Sequence, residues 1–389
     1  MGIMDVFIVS AARTPVGSFN GALKKLTAPQ LGVTAVKAAI SRAGLQPADI
    51  EDAFIGNVLQ ASVGQAPARQ VVLGAGCPDT TEATTINKVC ASGLKAVSLA
   101  AQNIALGQRS IMVAGGMESM SNAPYYAPRG LSYGSTQFHD AIVKDGLTDA
   151  GGQHLMGVCA ENTAKKYNLT REDQDAYAIE SYKRAAAAWE RKAFADEIAP
   201  VTIPDARKGD TIVSEDEEYK KVTLDKIPSL RPVFQKDGTV TAANASTLND
   251  GASALVLASQ AAIDKHGLKP LAKIISFADA ACAPIDFPIA PAFAIPLALE
   301  RAKLTKDDIA LYEINEAFSA VALANNQILG LSADKVNVLG GGVSLGHPIG
   351  SSGSRILVTL VHALKKSDYG VAAVCNGGGG ASAMVVQKL

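Results

Sequence analysis

Five cysteines in 389 residues are few, and odd in number, for a disulfide-built scaffold, which points to a reducing compartment. An excess of charge of either sign is also missing. Lys plus Arg number 36 against 37 for Asp plus Glu, a formal charge of −1. Binding a phosphate backbone needs a basic surplus or stripe, so nucleic acid is not an expected partner, although a local basic patch for a small phosphorylated ligand stays open. No run approaches the roughly 18–20 apolar residues of a membrane-spanning helix, so no membrane partner is expected. Asp5 stands where a signal peptide would be basic, and Val6 where a myristoylation signal beginning at Gly2 needs Ser or Thr. Neither Cys-x-x-Cys nor His-Glu-x-x-His occurs, which removes the common zinc patterns. Aromatic residues are only 5% and charged residues 19%, yet hydrophobic residues reach 48%, which excludes a disordered chain and leaves ample apolar mass for a core. The expectation is a soluble intracellular protein of two or three folding units.

What is present is glycine, 35 residues spread through apolar segments and not pooled in a linker. Short β-branched runs at Val6–Ser10, Ile111–Ala114, Ala254–Ala258, Val336–Leu339 and Val371–Cys375 read as buried strands. Ala-rich stretches at Leu31–Ala43, Leu94–Leu106, Ala317–Ile328 and Arg355–Leu364 read as helices. That alternation predicts an α/β fold with helices covering a largely parallel sheet. Three local patterns recur at nearly one offset. Arg42-Ala43-Gly44-Leu45 returns as Arg301-Ala302-Lys303-Leu304, Ser92-Gly93 as Ser352-Gly353, and Gly115-Gly116 after a strand as Gly377-Gly378 after a strand. Two similar halves are expected. Between them, 121–152 has no period, Glu161–Trp189 is helical and charged, and Arg207–Pro232 is polar, so this region reads as an inserted lid or substrate-binding element. The boundaries expected are 1–120 for the first half, 121–250 for an insertion that returns to the first half near its end, and 251–389 for the second half.

Four segments stand out for chemistry. Cys90, in Asn87-Lys88-Val89-Cys90-Ala91-Ser92-Gly93, precedes a helix whose positive dipole end would favour thiolate; a buried structural cysteine fits the same place. His347, followed by Pro348 in the glycine-dense turn Gly340–Gly350, suits a rigid general base, or is a turn histidine open to water. Cys375-Asn376-Gly377-Gly378-Gly379-Gly380 follows a strand, and its glycines free backbone N–H groups for an oxyanion, or make only a flexible turn. Asn315-Glu316-Ala317-Phe318 orients a water or carbonyl, or caps the next helix. Gly342-Val343-Ser344-Leu345-Gly346 matches a nucleophile elbow, but no acid-then-histidine order follows it, so a serine hydrolase is excluded.

Together these segments, in this order, resemble the four active-site loops of the thiolase family, and the resemblance runs over essentially the whole chain. Phe287-Pro288-Ile289-Ala290-Pro291 and Thr241-Ala242-Ala243-Asn244-Ala245-Ser246 resemble its mitochondrial-type acetoacetyl-CoA branch. The resemblance implies a thiolase fold, with two α/β halves forming a five-layered α-β-α-β-α core and an inserted loop domain. It implies reversible, ping-pong Claisen condensation of two acetyl-CoA to acetoacetyl-CoA plus CoA. A β-oxidation 3-ketoacyl-CoA thiolase is the alternative, and cleavage of 2-methylacetoacetyl-CoA a further expectation. By the same resemblance Cys90 takes the acetyl group, His347 activates it, and Cys375 removes the α-proton of the second substrate. The N–H groups of Cys90 and Gly377 hold one oxyanion, and His347 with a water on Asn315 holds the other. CoA is expected against Tyr182, Lys221, Val222, Thr223, Lys226, Ser246, Met156 and Phe287. No covalent cofactor is implied. A potassium ion is, with Tyr182, Ala242, Ala243, Ala245 and Val343 as ligands, mostly through backbone carbonyls. A homotetramer is implied, in the mitochondrial matrix or the cytoplasm. In one departure, the histidine that many relatives place before Met156-Gly157 is Leu155 here, with His154 one residue earlier.

Overall fold

The computed structural model describes residues 4–130 and 133–389. The readings made on Gly2 and the first three residues, and on 131–132 within the 121–152 stretch, lie outside these. The first half begins with β1 (Val6–Arg13), the short β2 (Gly17–Ser18) and α1 (Ala28–Arg42), which opens on a Thr27–Gln30 capping box. It continues with β3 (Asp52–Gly56), α2 (Pro67–Gly74), β4 (Glu82–Ile86), α3 (Ser92–Ala105) and β5 (Ile111–Ser119). The chain then leaves the sheet. It forms the ribbon β6 (Tyr125–Tyr126) with β7 (His139–Asp140), the helices α4 (Met156–Lys166) and α5 (Arg171–Glu190), and the ribbon β8 (Val201–Ile203) with β9 (Thr211–Val213). It returns as β10 (Asn249–Ser259) and α6 (Gln260–His266), followed by β11 (Ala272–Ala281), α7 (Pro291–Ala302), β12 (Ile309–Ile314), α8 (Ser319–Leu329) and α9 (Gly342–Leu345). The last elements are α10 (Ser352–Ala363), β13 (Tyr369–Asn376) and β14 (Gly380–Lys388).

The long strands share a sheet in the order β12-β13-β14-β11-β1-β10-β5-β3-β4. Both halves follow one plan. In the first, β4, β3 and β5 are parallel, and β10 and β1 follow antiparallel. In the second, a parallel bridge from Tyr312 to Val336 takes the place of β4, β12 and β13 are parallel, and β14 and β11 follow antiparallel. The halves join where β1 pairs antiparallel with β11, Val6 opposite Ile274. The sheet is therefore mixed, not largely parallel as expected. Helical crossovers give parallel neighbours, whereas the hairpin Gly377–Gly379 makes β13 and β14 antiparallel and the insertion returns β10 antiparallel to β5.

Side chains alternate across the strands and so build three apolar layers. Val256 faces α1 and α2, while Leu255 and Leu257 face α3 and α10. In the second half Ala372 and Val374 join that same central layer, and Val371 and Ala373 face α7. Helices thus lie outside, between and outside two sheet halves, the five-layered arrangement. The segment 251–259, placed above in the second half, runs inside β10 between β1 and β5. Gly115-Gly116 is also corrected: it lies within β5 and not after it, because a Cβ at either position would strike the backbone of Ser253 or Gly350. Ser92-Gly93 and Ser352-Gly353 are true counterparts, opening α3 and α10 where the two helices meet.

Candidate active site

Cys90 lies just ahead of α3 and His347 in the turn between α9 and α10. Asn315 follows β12, Cys375 is near the end of β13, and Gly377 is in the hairpin after it. The fold brings the first two into one cavity of about 300 Å³, walled by Met156, Phe234, Phe287 and Phe318. Past Ala245, Ser246 and Leu248 it adjoins a second hollow of about 380 Å³, where Lys221, Glu218 and Ala242 face the opening. Cys375 is fully buried behind Met156, Phe287 and Phe318, and close enough to Cys90 that a charge there adds to burial in opposing its ionisation.

Burial dominates the electrostatics. It pushes the Cys90 thiol up to about 12, although the nearby backbone N–H groups of Gly377 and of Cys90 itself favour the thiolate, with nearby Glu118 adding to the rise. The thiolate expected from the helix dipole is therefore not the resting form: desolvation at a site without a cation outweighs a partial charge at the helix end. Burial likewise holds His347 down at about 3, with Arg355 adding to the effect, so the imidazole is neutral. Its tautomer follows from its neighbour. Ser352 Oγ donates to Pro348 O at 3.0 Å and so accepts at 2.5 Å from His347 Nδ1, which must carry the hydrogen. His347 Nε2 is then a bare acceptor, buried and without a protein partner among the described residues, and both polar side-chain atoms of Asn315 are likewise buried and unpartnered there. The His347 N–H donates to Asn249 Oδ1 at 2.8 Å, which pins the turn to β10. A neutral base in one cavity with a neutral thiol, beside the N–H groups of Cys90 and Gly377, can move a proton as the sulfur attacks a carbonyl.

The outer residues divide. Met156, Phe287 and Ser246 line the inner cavity, and Lys221 and Ser246 the outer one. Val222 packs against the cluster of Tyr182, Ile227, Ala243 and Val343, while Thr223 precedes a short helical turn and Lys226 is exposed; none of the three lines either hollow. Leu155 takes a place in the cavity wall and His154 does not. For potassium, Tyr182, Ala243 and Val343 come together from α5, the 241–245 turn and α9. The carbonyls of Ala242 and Ala243 accept no backbone hydrogen bond among the described residues, and carbonyl oxygens suit a hard monovalent cation. The donor set therefore fits. Ser352 and Asn249 were not found from sequence; Ser352 was visible only as a helix opener, and Asn249 gave no signal.

The thiolase N-terminal domain model matches residues 6–261 and the thiolase C-terminal domain model residues 268–388. The chain is 60% identical to a mitochondrial acetyl-CoA acetyltransferase of Gibberella zeae, covering 100% of this chain and 91% of that protein. It is 58% identical to the mitochondrial acetyl-CoA acetyltransferase of Bos taurus, covering 99% and 92%. The Acat5 thiolase of Ascaris suum, solved in complex with coenzyme A, superposes with a TM-score of 0.95 at 51% identity, covering 99% of this chain and 100% of that one.

Proposed function

The chain belongs to the thiolase family, and from that membership we propose that the Cys90 cavity is the active site of an acetyl-CoA C-acetyltransferase. The observation that carries the reading is a buried sulfur beside the backbone N–H groups of Cys90 and Gly377, in one cavity with an imidazole whose Nε2 has no partner among the described residues. Cys90 attacks the thioester carbonyl of the first acetyl-CoA and gives its proton to His347 Nε2. The carbonyl oxygen takes up the N–H groups of Cys90 and Gly377; losing one such donor typically costs about 10²–10³ in rate. The departing CoA thiolate takes the proton of Cys375. That residue then removes the α-proton of the second acetyl-CoA, whose enolate oxygen is held by protonated His347 and a water on Asn315. The new carbon–carbon bond expels Cys90, which recovers its proton from His347. The charged intermediates arise only with substrate bound, in keeping with thiols that burial holds neutral.

CoA would run from the inner cavity over Ser246 to Lys221, whose ammonium suits a nucleotide phosphate. Tyr182, Ala242, Ala243, Ala245 and Val343 would hold potassium, which supplies a fixed positive charge that firms this side of the CoA site. Residues near 121–250 act as the loop domain, and the functional unit is a homotetramer. The mitochondrial names of the relatives support placement in the matrix over the cytoplasm.

Acetyl transfer and condensation are separable by mass spectrometry of the protein and by product assay. Cys90→Ala should lose both steps, whereas Cys375→Ser should still acquire one acetyl group on Cys90 and lose condensation. Equal loss of both in the second variant would break the assignment. Thiolysis of acetoacetyl-CoA should exceed that of longer 3-ketoacyl-CoA, the reverse order favouring the β-oxidation alternative. Adding potassium should lower the KM for acetoacetyl-CoA, and no response to potassium over sodium would remove the ion from this account.

A further inference from the structure

Asp279 of β11 lies outside both hollows, yet three donors converge on its carboxylate. Lys88 Nζ reaches Oδ1 at 2.6 Å, Lys95 Nζ reaches Oδ2 at 2.6 Å, and Ser382 Oγ reaches Oδ1 at 2.6 Å. Lys88 also donates to Ser382 Oγ at 2.9 Å and to Ala381 O at 3.2 Å. Burial works against the charge on Asp279, but these hydrogen bonds bring its carboxyl down to about 2, so it is ionised at any working pH. The two lysines belong to the first half and flank the nucleophile loop, whereas Asp279 and Ser382 sit opposite each other on β11 and β14 of the second. β14 begins directly after the glycine hairpin that carries the Gly377 N–H beside the Cys90 sulfur.

The loop so gripped is under strain. Val89, between Lys88 and Cys90, has φ +48, a left-handed conformation that a β-branched residue rarely adopts. Such a conformation persists only where its surroundings over-determine it. Ser92 holds it from one side, accepting from Lys88 N at 2.8 Å and donating to Val89 O at 2.6 Å. The Lys88 side chain on Asp279 holds it from the other.

We propose that Asp279, through Lys88, is a positioning residue that clamps the Cys90 loop of the first half to the Gly377 hairpin of the second and so keeps the sulfur beside the Gly377 N–H. The proposal rests on Cys90 being the nucleophile. Displacement of a reacting group by about 1 Å can cost on the order of 10²-fold in rate. Asp279→Asn and Lys88→Met are therefore expected to lower the kcat of acetoacetyl-CoA thiolysis by roughly 10–100-fold while the KM stays within about twofold, since neither residue lines the CoA path. The double variant should be no slower than the worse single one, because both remove the same clamp. Lys95→Met, which leaves the Lys88 contact intact, should cost much less. A folded Asp279→Asn or Lys88→Met with wild-type kcat, losses that multiply in the double variant, or failure of both single variants to fold would each overturn the proposal. Cys90→Ala in the same assay keeps the two readings apart: if it retains activity, the nucleophile assignment falls whatever the clamp variants do.

Discussion

At His347 the penalty for burying a charge decides when the ring can hold a proton. Its value of about 3 in the folded chain stands below the 6.5 of an exposed histidine, so an unfolded chain binds a proton that the folded one refuses. Stability linked to this residue is therefore complete above about pH 6.5 and falls as the pH drops toward about 3, with a limiting slope of about 1.4 kcal/mol per pH unit. His347→Asn removes the titration. In urea unfolding from about pH 7 to about pH 5.5, wild type should lose roughly 1 kcal/mol more than the variant. Parallel losses would mean that the folded enzyme charges its imidazole freely, and the neutral base inferred from its burial would be wrong. Any acid loss of stability that survives in the variant belongs to other groups.

At the scale of elements, α3 and α10 come into close contact at their first turns. A Cβ on Gly353 would lie 2.7 Å from Leu94 N, and one on Gly93 would lie 2.5 Å from Ser354 Oγ. The first of these obstacles is backbone, so the helices must part. Cys90 precedes one helix and Ser352, the partner of His347, opens the other. Gly353→Ala should therefore lower stability by about 1–3 kcal/mol, and also reduce kcat by more than about tenfold. Calorimetry with steady-state kinetics checks both, and a destabilised variant of full kcat would show that the two loops are positioned elsewhere. These helices were readable because small and apolar residues repeat at helical spacing, and the buried strands because their runs are apolar on both faces. β4 escaped notice since Glu82, Thr84 and Thr85 make an edge strand polar. Val336–Leu339 looked like a strand and is only a bridge, because Asn337 turns at φ +50 and its side chain bonds Ile314 N and O instead. The four chemical segments were legible as glycine-rich breaks at strand ends. What they do electrostatically was not, because the Cys90 value is set by desolvation, which depends on what packs around the sulfur and not on the residues beside it in the chain.

For the whole molecule the question is whether the insertion is an appendage or part of one cooperative unit. The single tryptophan reports on it. Trp189, in the last turn of α5, stacks on Tyr219 at 6.2 Å and packs on Phe194 at 5.3 Å. Its Nε1 donates to Asp216 Oδ2 at 3.1 Å, and Asp216 also receives Nη1 and Nη2 of Arg13, fully buried at the end of β1. Arg13 Nε reaches Glu197 at 2.5 Å, and Glu197 accepts from Thr359 of α10 at 3.2 Å. A buried guanidinium left without its carboxylates costs about 3–5 kcal/mol, so the insertion cannot let go while β1 stays folded. The halves are bound as tightly, since α3 and α10 share one core through Val97, Ala101, Ile356 and Leu360. Unfolding should therefore be a single event. Tryptophan fluorescence, which sees the insertion, and far-ultraviolet circular dichroism, which sees the layered helices, should trace superimposable urea curves at constant protein concentration. In Asp216→Asn, which weakens the tie without emptying the site, the two curves should move together to lower urea. A fluorescence change that runs ahead of the dichroism in wild type would mean that the insertion opens by itself, and that its carboxylates Glu197 and Asp216 do not tie it to Arg13 of β1.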